Sequence, residues 1–359
     1  MNEPTPDSSN TLSFKQRVQE FWTWFPTVAQ RYREAIDDRS FDDHVEDMTQ
    51  HMTRWFPRLA WVFGPGEEDG HSLTITGEGD RLKQMLAEYW HAHAVALPGW
   101  SFQASRQPSS PHRLDGLQFE FGDGTAVKTN DVMVRTEVHE ETQKLDVQVW
   151  HPVFEFLPED GQWQIVFLLF DEALGEFGTE TWIGDIEVGA FEKDDKTRSI
   201  TDLPRFIDQV AEYFGWEAVD PLASYSVYEV PEQSESPRGD TLIGRTSVPN
   251  LIRDFLASQE PFELESLTDS GAEAIYLAID SKLFPAEQAS ELRANIEDAL
   301  DDALSNAEAG RALGGAYGIN QNYIDLLLLA GDESRRLVER TLNELQLTEH
   351  TRILPFDQT

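Results

Sequence analysis

Apolar residues recur at spacings of three and four near the N-terminus, which is the pattern of an amphipathic helix. Residues 13–37 show it first, and Pro26 predicts a kink or the start of a second helix. A further stretch with the same period follows Ser40, whose hydroxyl can cap a helix. The aromatic cluster FWTWF (21–25) is typical of helix packing, and a ligand cage is the alternative interpretation.

Beyond residue 58 the apolar positions alternate, which indicates half-buried strands. Two strands, a helix capped by Asp80 and a third strand predict a β-β-α-β unit, and three antiparallel strands follow between residues 117 and 153. Residues 161–177 are ambiguous, because IVFLLF could be a buried strand. Helical spacing that continues through good helix formers favours a largely buried helix.

The C-terminal part predicts the order β-α-β-β-α-β, which is the split βαβ or ferredoxin-like pattern. AIYLAID (274–280), YIDLLLLAG (323–331) and TRILPF (351–356) are its clearest strands. The glycines of GRALGGAYG (310–318) lie before the second of these strands. They predict a tight turn or bulge with close backbone approach, within the central hairpin.

The fold class predicted is therefore α+β, with two domains that combine antiparallel sheets and packed helices. Its linker coincides with PEQSESPRGDT (231–241), rich in Pro, Ser and charge. The RGD tripeptide inside that stretch matches an integrin-binding motif, but a tripeptide arises easily by chance. The predicted segments are a disordered tail (1–12), an N-terminal α+β domain (13–222), a linker (223–245) and a C-terminal ferredoxin-like domain (246–359).

Charge changes this picture more than any motif does. The chain has 66 acidic and 28 basic side chains, a net charge of −38, and the acidity is spread evenly along it. Even acidity predicts a surface adapted to high internal salt, where the Debye length is about 3 Å at 1 M. No basic stripe is present to contact phosphates, so we expect no nucleic-acid partner.

Several functional classes are disfavoured by what the sequence lacks. With no Cys, a disulfide, a thiolate metal site and a Cys nucleophile are excluded. The N-terminus has no basic segment followed by an apolar one, and no uncharged apolar run reaches about 18 residues. We therefore expect a cytoplasmic bacterial protein without membrane association.

The candidate motifs for phosphate and metal binding lack the required spacing or charge. GGAYG lacks a following GK[ST] and precedes a strand, so it is not a P-loop. The turn at 77–80 is closer to a phosphate loop, but its two acidic residues would repel phosphate. His91 and His93 are spaced by two on a predicted helix, which does not suit a metal pair. We expect no catalytic residue, no metal and no cofactor.

The sequence favours a specific site at the polar segment NQNY, directly before an apolar stretch predicted as a buried strand. Asp325 is a carboxylate embedded in that apolar strand. A buried position would require partners and would perturb its pKa. The favoured alternative is an outward strand position or a bond to a neighbouring loop. Gln321 adds a further polar group. The candidate ligand-binding residues are Gly314, Gly315, Gly318, Asn320, Asn322, Tyr323 and Asp325.

The motifs FWTWF, LTITGEGDRLK, GWSFQA, RGDTLIGRT and GRALGGAYG…YIDLLLLAGDESRRLVERTL resemble those of a family of uncharacterised bacterial proteins. Its members join an N-terminal domain of unknown function to a C-terminal α+β domain, and the resemblance covers most of residues 15–356. Domains similar to the ribonuclease E inhibitor (regulator of ribonuclease activity B) accompany that N-terminal domain in some proteins. That inhibitor is acidic and ferredoxin-like, so the resemblance to it is one of fold.

We therefore expect a non-catalytic protein-binding or regulatory protein. The alternative is an enzyme or small-ligand-binding protein with a pocket near residues 314–325 or between the domains. A third class is dimerisation through sheet edges. The sequence leaves the oligomeric state open.

Overall fold

The computed structural model describes residues 12–67, 70–120, 126–231, 234, 237–257, 262–285 and 287–356, without the side chains of 43, 262, 263, 265 and 266. Contacts divide the chain into two compact units. The first contains Met1–Leu73, Asp80–Phe102 and Tyr225–Thr359, and the second contains Thr74–Gly79 and Gln103–Ser224. The predicted tail lies outside the described residues except for residue 12.

This division differs from the predicted boundary at residue 222. The N-terminal helix belongs to the same unit as the C-terminal sheet, because the amides of Phe14 and Lys15 donate to the carbonyls of Gly271 and Leu329, both at 2.8 Å. The Lys15 ammonium also donates to the Ala307 carbonyl at 2.7 Å. These partners are far apart in sequence, so local patterns could not reveal them.

The N-terminal elements follow the predicted order. Helix α1 passes Pro26 as one continuous helix and has a capping box at Ser13, and the Asp80 side chain caps α3 as predicted. The strands form a three-stranded sheet in the order β1-β2-β3. The elements are α1 (Phe14–Asp37), α2 (Asp42–Trp55), β1 (Ala60–Pro65), β2 (His71–Thr76), α3 (Arg81–Ala92) and β3 (Trp100–Gln103).

The aromatic cluster of α1 is a packing core. Phe21 and Phe25 are fully buried and stack with ring centroids 5.4 Å apart. Trp22 stacks on Trp90 of α3 at 4.9 Å, and its indole N–H donates to the Trp90 carbonyl. The rings of this cluster therefore pack against other aromatic rings of the same chain.

The second unit contains a four-stranded sheet in the order β8-β7-β6-β9. Strands β6 and β7 are antiparallel, as predicted, and β8 runs parallel to β7. Residues 161–177 lie in α5, so the favoured helix is confirmed. The elements are α4 (Pro111–Gly116), β4 (Gln118–Glu120), β5 (Ala126–Lys128), β6 (Met133–His139), β7 (Lys144–Trp150), α5 (Glu159–Trp182), β8 (Ile183–Val188), β9 (Thr197–Ser199) and α6 (Leu203–Phe214).

Helix α5 bends at Gly175, whose φ of 73° and ψ of 166° are open almost only to glycine. A Cβ there would lie 2.8 Å from Cδ of Pro108. We expect Gly175→Ala to lower the free energy of unfolding by about 2–4 kcal/mol, measured by urea unfolding in molar KCl. Gly161→Ala, in the same helix with an ordinary 3.6 Å contact, is the control and should be neutral or stabilising by up to about 1 kcal/mol. Equal effects of the two substitutions would contradict this account of the bend.

The C-terminal part of the first unit is a six-stranded sheet in the order β10-β11-β13-β14-β12-β15. Two of its strands lie in the stretch predicted as a linker, which is therefore part of the sheet. The elements are β10 (Ser226–Glu229), β11 (Thr241–Thr246), α7 (Pro249–Leu256), α8 (Phe262–Ser270), β12 (Glu273–Asp280), α9 (Ala289–Asn306), β13 (Gly310–Gly318), β14 (Gln321–Leu328), α10 (Asp332–Glu344) and β15 (Thr351–Pro355).

The predicted order β-α-β-β-α-β is present from β12 to β15, and every strand pair in this sheet is antiparallel. One face of the sheet packs on α9 and α10, where Ile324 and Leu326 meet Leu300, Leu304 and Leu342. Because strand residues alternate between faces, Tyr323 and Asp325 lie on the other face. The predicted α+β class is confirmed.

Candidate functional site

The glycine-rich segment forms strand β13 and is not an open loop. It pairs with β14 along its length, and the register shifts between Ala312 and Gly314, which marks the predicted bulge. A Cβ on Gly314, at φ 125°, would lie 2.2 Å from the Arg245 carbonyl. A Cβ on Gly315 would lie 2.1 Å from the Tyr323 carbonyl. These glycines thus allow neighbouring strands to approach closely.

Asp325 is fully buried and forms an ion pair with Arg238. The guanidinium Nη1 donates to Oδ1 of Asp325 at 2.7 Å, and both side chains are 0% exposed. Its Nη2 donates to the Tyr228 hydroxyl at 3.1 Å, and the guanidinium lies 4.7 Å from the centre of the Tyr323 ring. Asp325 thus points inward and has a specific partner, Arg238, in the stretch predicted as a linker.

Burial is the largest single influence on the pKa of each member of this pair. It raises the pKa of Asp325, and the nearby guanidinium opposes that effect. Burial alone would lower the pKa of Arg238, but the charge of Asp325 and the Tyr228 hydroxyl raise it overall. Within the described residues, Nε of Arg238 and Oδ2 of Asp325 have no hydrogen-bond partner. A half-satisfied buried pair contributes more to positioning than to net stability.

The RGD tripeptide fastens its loop to the β13–β14 turn. Oδ2 of Asp240 accepts the backbone N–H groups of Asn320 at 2.7 Å and Gln321 at 3.1 Å. The Tyr323 hydroxyl donates to Oδ1 of the same carboxylate. Burial, and then this carboxylate, raise the pKa of Tyr323. Because Arg238 is buried and Asp240 is bound to the turn, both charged residues of the tripeptide make their contacts within this chain.

A cavity of about 520 Å³ lies beside this turn. Its floor includes Tyr276 and Ala278, and its rim carries Arg352 and Gln321. Two predicted ligand-binding residues, Asn320 and Tyr323, also line it. The other five predicted residues do not line this cavity: Gly314, Gly315, Gly318, Asn322 and Asp325.

Sequence reasoning missed Arg238, Asp240 and Arg352. The first two fell in the predicted linker, where charged residues are normally solvated. The available signal was a lone carboxylate in an apolar strand, Asp325, which required a cationic partner somewhere in the chain.

A second charge cluster lies on the helix-facing side of β13. Arg293 of α9 donates to Oε2 of Glu297 at 2.7 Å, and Arg245 of β11 donates to Oε1 at 3.0 Å. The Arg293 guanidinium also lies 4.9 Å from the ring centre of Tyr317. Glu297 is buried, whereas the Arg245 side chain is 44% exposed. One cation of this cluster therefore faces solvent next to β10.

Strands β10 and β11 expose apolar side chains. Val227 is 71% exposed, Leu242 48%, and Ile243 and Tyr225 40% each. The register places Val227 opposite Arg245, and Ile243 opposite Glu229. Strand β10 has one neighbour in the sheet order, so it is an edge strand. We call the four apolar residues Tyr225, Val227, Leu242 and Ile243 the edge strip.

In the second unit, the turn that resembles a phosphate loop already holds a carboxylate. Glu176 of α5 is 8% exposed. It accepts the backbone N–H of Gly79 at 3.0 Å and the hydroxyl of Thr76. The donors of this turn are therefore used within the chain.

Burial raises the pKa of Asp171, near that turn, to about 6, against the opposing charge of Arg106 at 3.5 Å. Between about pH 4 and pH 6 the folded chain binds a proton that the unfolded chain does not. This contribution to stability is full below about pH 4 and is lost as the pH rises through 6. The free energy of unfolding of Asp171→Asn should gain on that of the wild type as the pH rises. We expect the difference between the two proteins to change by about 2–3 kcal/mol from about pH 4 to about pH 7.5, in favour of the variant.

Urea unfolding at fixed molar KCl measures this difference. Asp208→Asn, at an exposed position on α6, is the control and should change the free energy of unfolding by at most about 0.5 kcal/mol. A difference between Asp171→Asn and wild type that does not vary with pH would refute the assignment.

Among the described residues, no group of three or more His, Asp or Glu is arranged to hold a metal ion. None of the helices in the described ranges is long and apolar enough to cross a bilayer.

Comparison of the chain with protein-family models, curated proteins and solved structures gave no match. The resemblance to the two-domain bacterial family and to the ribonuclease E inhibitor therefore stays a prediction.

Proposed function

We propose that this protein is a non-catalytic binding protein that contacts a protein partner through the edge strip. The observation that carries the proposal is the 71% exposure of Val227 on an edge strand, beside exposed Ile243. An edge strand offers unpaired backbone N–H and C=O groups, and another chain can add a strand to it. Exposed apolar residues at the same place favour such an addition.

The architecture supports this role. In our interpretation β12 to β15 form a ferredoxin-like module, and β10 and β11 extend its sheet beside β13. The charged groups near the glycine-rich hairpin serve contacts within the chain, as Arg238 with Asp325 and Asp240 with Tyr323 show. Such occupied groups are poorly suited to act on a substrate.

The acidic surface fits the same proposal. We infer that the net charge of −38 is an adaptation to a cytoplasm of molar salt, in which apolar contacts are strengthened relative to charge repulsion. A regulatory role would then be exerted by binding through the edge strip.

Photo-cross-linking in cells of the source organism tests the proposal. A benzophenone amino acid at Ile243 should give covalent adducts with protein, whereas the same group at Asn320, exposed at the cavity rim, should give few. Cross-linking at position 320 without cross-linking at 243 would overturn it.

A small-ligand site is the second candidate, because the 520 Å³ cavity is lined by Asn320, Gln321 and Tyr323. Native mass spectrometry of protein purified from its own cells should then show one added small molecule. Arg352→Ala, at the rim, should lose it, and Arg253→Ala, exposed on α7, should retain it. A wild-type mass without any adduct would rule out this candidate.

A further inference from the structure

We infer that the chain which pairs with β10 is a second copy of this protein, in an antiparallel arrangement centred on Val227. The inference rests on the proposed function and names its partner. It follows from the direction of the backbone groups, from the order of side chains along the strand and from the position of Arg245.

The backbone of β10 presents the correct groups outward. The Val230 N–H donates to the Leu242 carbonyl of β11 at 3.1 Å. Because hydrogen-bonding direction alternates along an antiparallel strand, residues 226 and 228 also face β11. Val227 and Glu229 therefore direct their N–H and C=O groups away from the sheet. Two copies related by a two-fold axis at Val227 would join these groups by about six hydrogen bonds, counting those of Tyr225.

The side chains suit the same register. Val227 would lie opposite Val227 of the second copy, so that two β-branched residues cover each other. Ser226 would oppose Tyr228, and Tyr225 would oppose Glu229. The strand has one charged residue, Glu229, and it would not oppose another acid. The pairing therefore creates no like-charge contact.

Charge at the rim of the strand favours the same partner. The exposed guanidinium of Arg245 lies 4.8 Å from the centre of the Tyr225 ring. In the proposed register Glu229 of the second copy opposes that tyrosine, and so approaches Arg245 across the two-fold axis. Each copy thus supplies one cation and one anion to the contact, which gives two complementary pairs.

The net charge distinguishes a second copy from a basic partner. Two chains of −38 repel each other, so their association should strengthen as KCl screens the repulsion. Binding of a basic peptide should weaken in the same series, because salt screens attraction too. The sign of the salt dependence therefore reports the partner.

Sedimentation equilibrium of the full chain tests the inference, from about 5 to about 500 μM protein, at about 0.2 M and about 3 M KCl. We expect a monomer–dimer equilibrium whose dissociation constant falls at least about tenfold at the higher salt. Val227→Lys should raise that constant by about tenfold or more, since two lysines would face each other. Val62→Lys, an exposed valine on β1, is the matched control and should leave it unchanged.

A second measurement uses the absence of cysteine from the chain. Val227→Cys should be joined to a second copy by a short bismaleimide in 3 M KCl, and Val62→Cys should not. A monomer at every salt concentration, a dimer unaffected by Val227→Lys, or association weakened by KCl would each overturn the inference. Adducts with other proteins at position 243 would still support the edge strip as a binding surface, so the two proposals fail separately.

Discussion

Asp325→Ala is expected to lower the free energy of unfolding of this protein by about 3–5 kcal/mol. The substitution leaves the Arg238 guanidinium buried without its counter-charge, because both side chains are 0% exposed in the wild type. The remaining hydrogen-bond partner of the guanidinium, the Tyr228 hydroxyl, is neutral and does not balance its charge. The loop that carries Arg238 should therefore detach from the sheet or force the arginine outward.

Urea unfolding in molar KCl gives the size of the effect, and a double substitution gives its cause. Arg238→Met with Asp325→Leu removes both charges and keeps apolar volume, so it should recover most of the lost stability. Arg253→Met, in an exposed pair with Asp254, should cost at most about 1 kcal/mol. If the double variant is no more stable than Asp325→Ala alone, the loss reflects packing rather than an unpaired charge.

The melting temperature should rise by on the order of 10 °C as KCl increases from about 0.05 M to about 3 M. The cause is repulsion among 66 acidic side chains that are balanced by only 28 basic ones. Folding brings these charges together, and salt screens them. Because the Debye length falls from about 10 Å at 0.1 M to about 3 Å at 1 M, most of the rise should occur below about 1 M.

Differential scanning calorimetry across a KCl series measures this response. Replacing exposed acidic residues such as Glu140 and Glu141 by glutamine should raise the melting temperature at low salt and leave it nearly unchanged at high salt. A melting temperature independent of KCl would show that charge repulsion does not limit stability, and the salt-adaptation proposal would fail.

Local patterns were sufficient for most individual elements. The Asp80 cap, the helix over 161–177 and the succession of helices and strands from β12 to β15 follow from periodicity and capping, which act over a few residues. The bulge at Gly314 was also accessible, because a cluster of glycines in a strand has few other structural reasons.

Contacts between distant segments could not be predicted in the same way. The stretch PEQSESPRGDT has the composition of a linker, yet its Arg238 is buried against Asp325, which lies 87 positions further on. The N-terminus of α1 similarly bonds to residues near the end of the chain. A single sequence does not reveal such long-range contacts. The one indication is that a buried carboxylate requires a partner.

The location of the candidate site could not be predicted for the same reason. The polar residues after the glycines are candidates only by their position in the sequence, and in the structure several of them hold the RGD loop. The edge strip carried no chemical motif at all. Its exposure depends on which strand lies at the edge of the sheet, and that order is a property of the complete fold.

Hydrogen exchange at the backbone amides of Val227 and Glu229, in about 3 M KCl, tests most directly whether this edge is where another chain binds. The account predicts slow exchange of both amides in concentrated protein and fast exchange after dilution, while the Val230 amide, bonded to Leu242, stays protected throughout. Fast exchange of Val227 and Glu229 at every concentration, also with extract of the producing cells added, would contradict it.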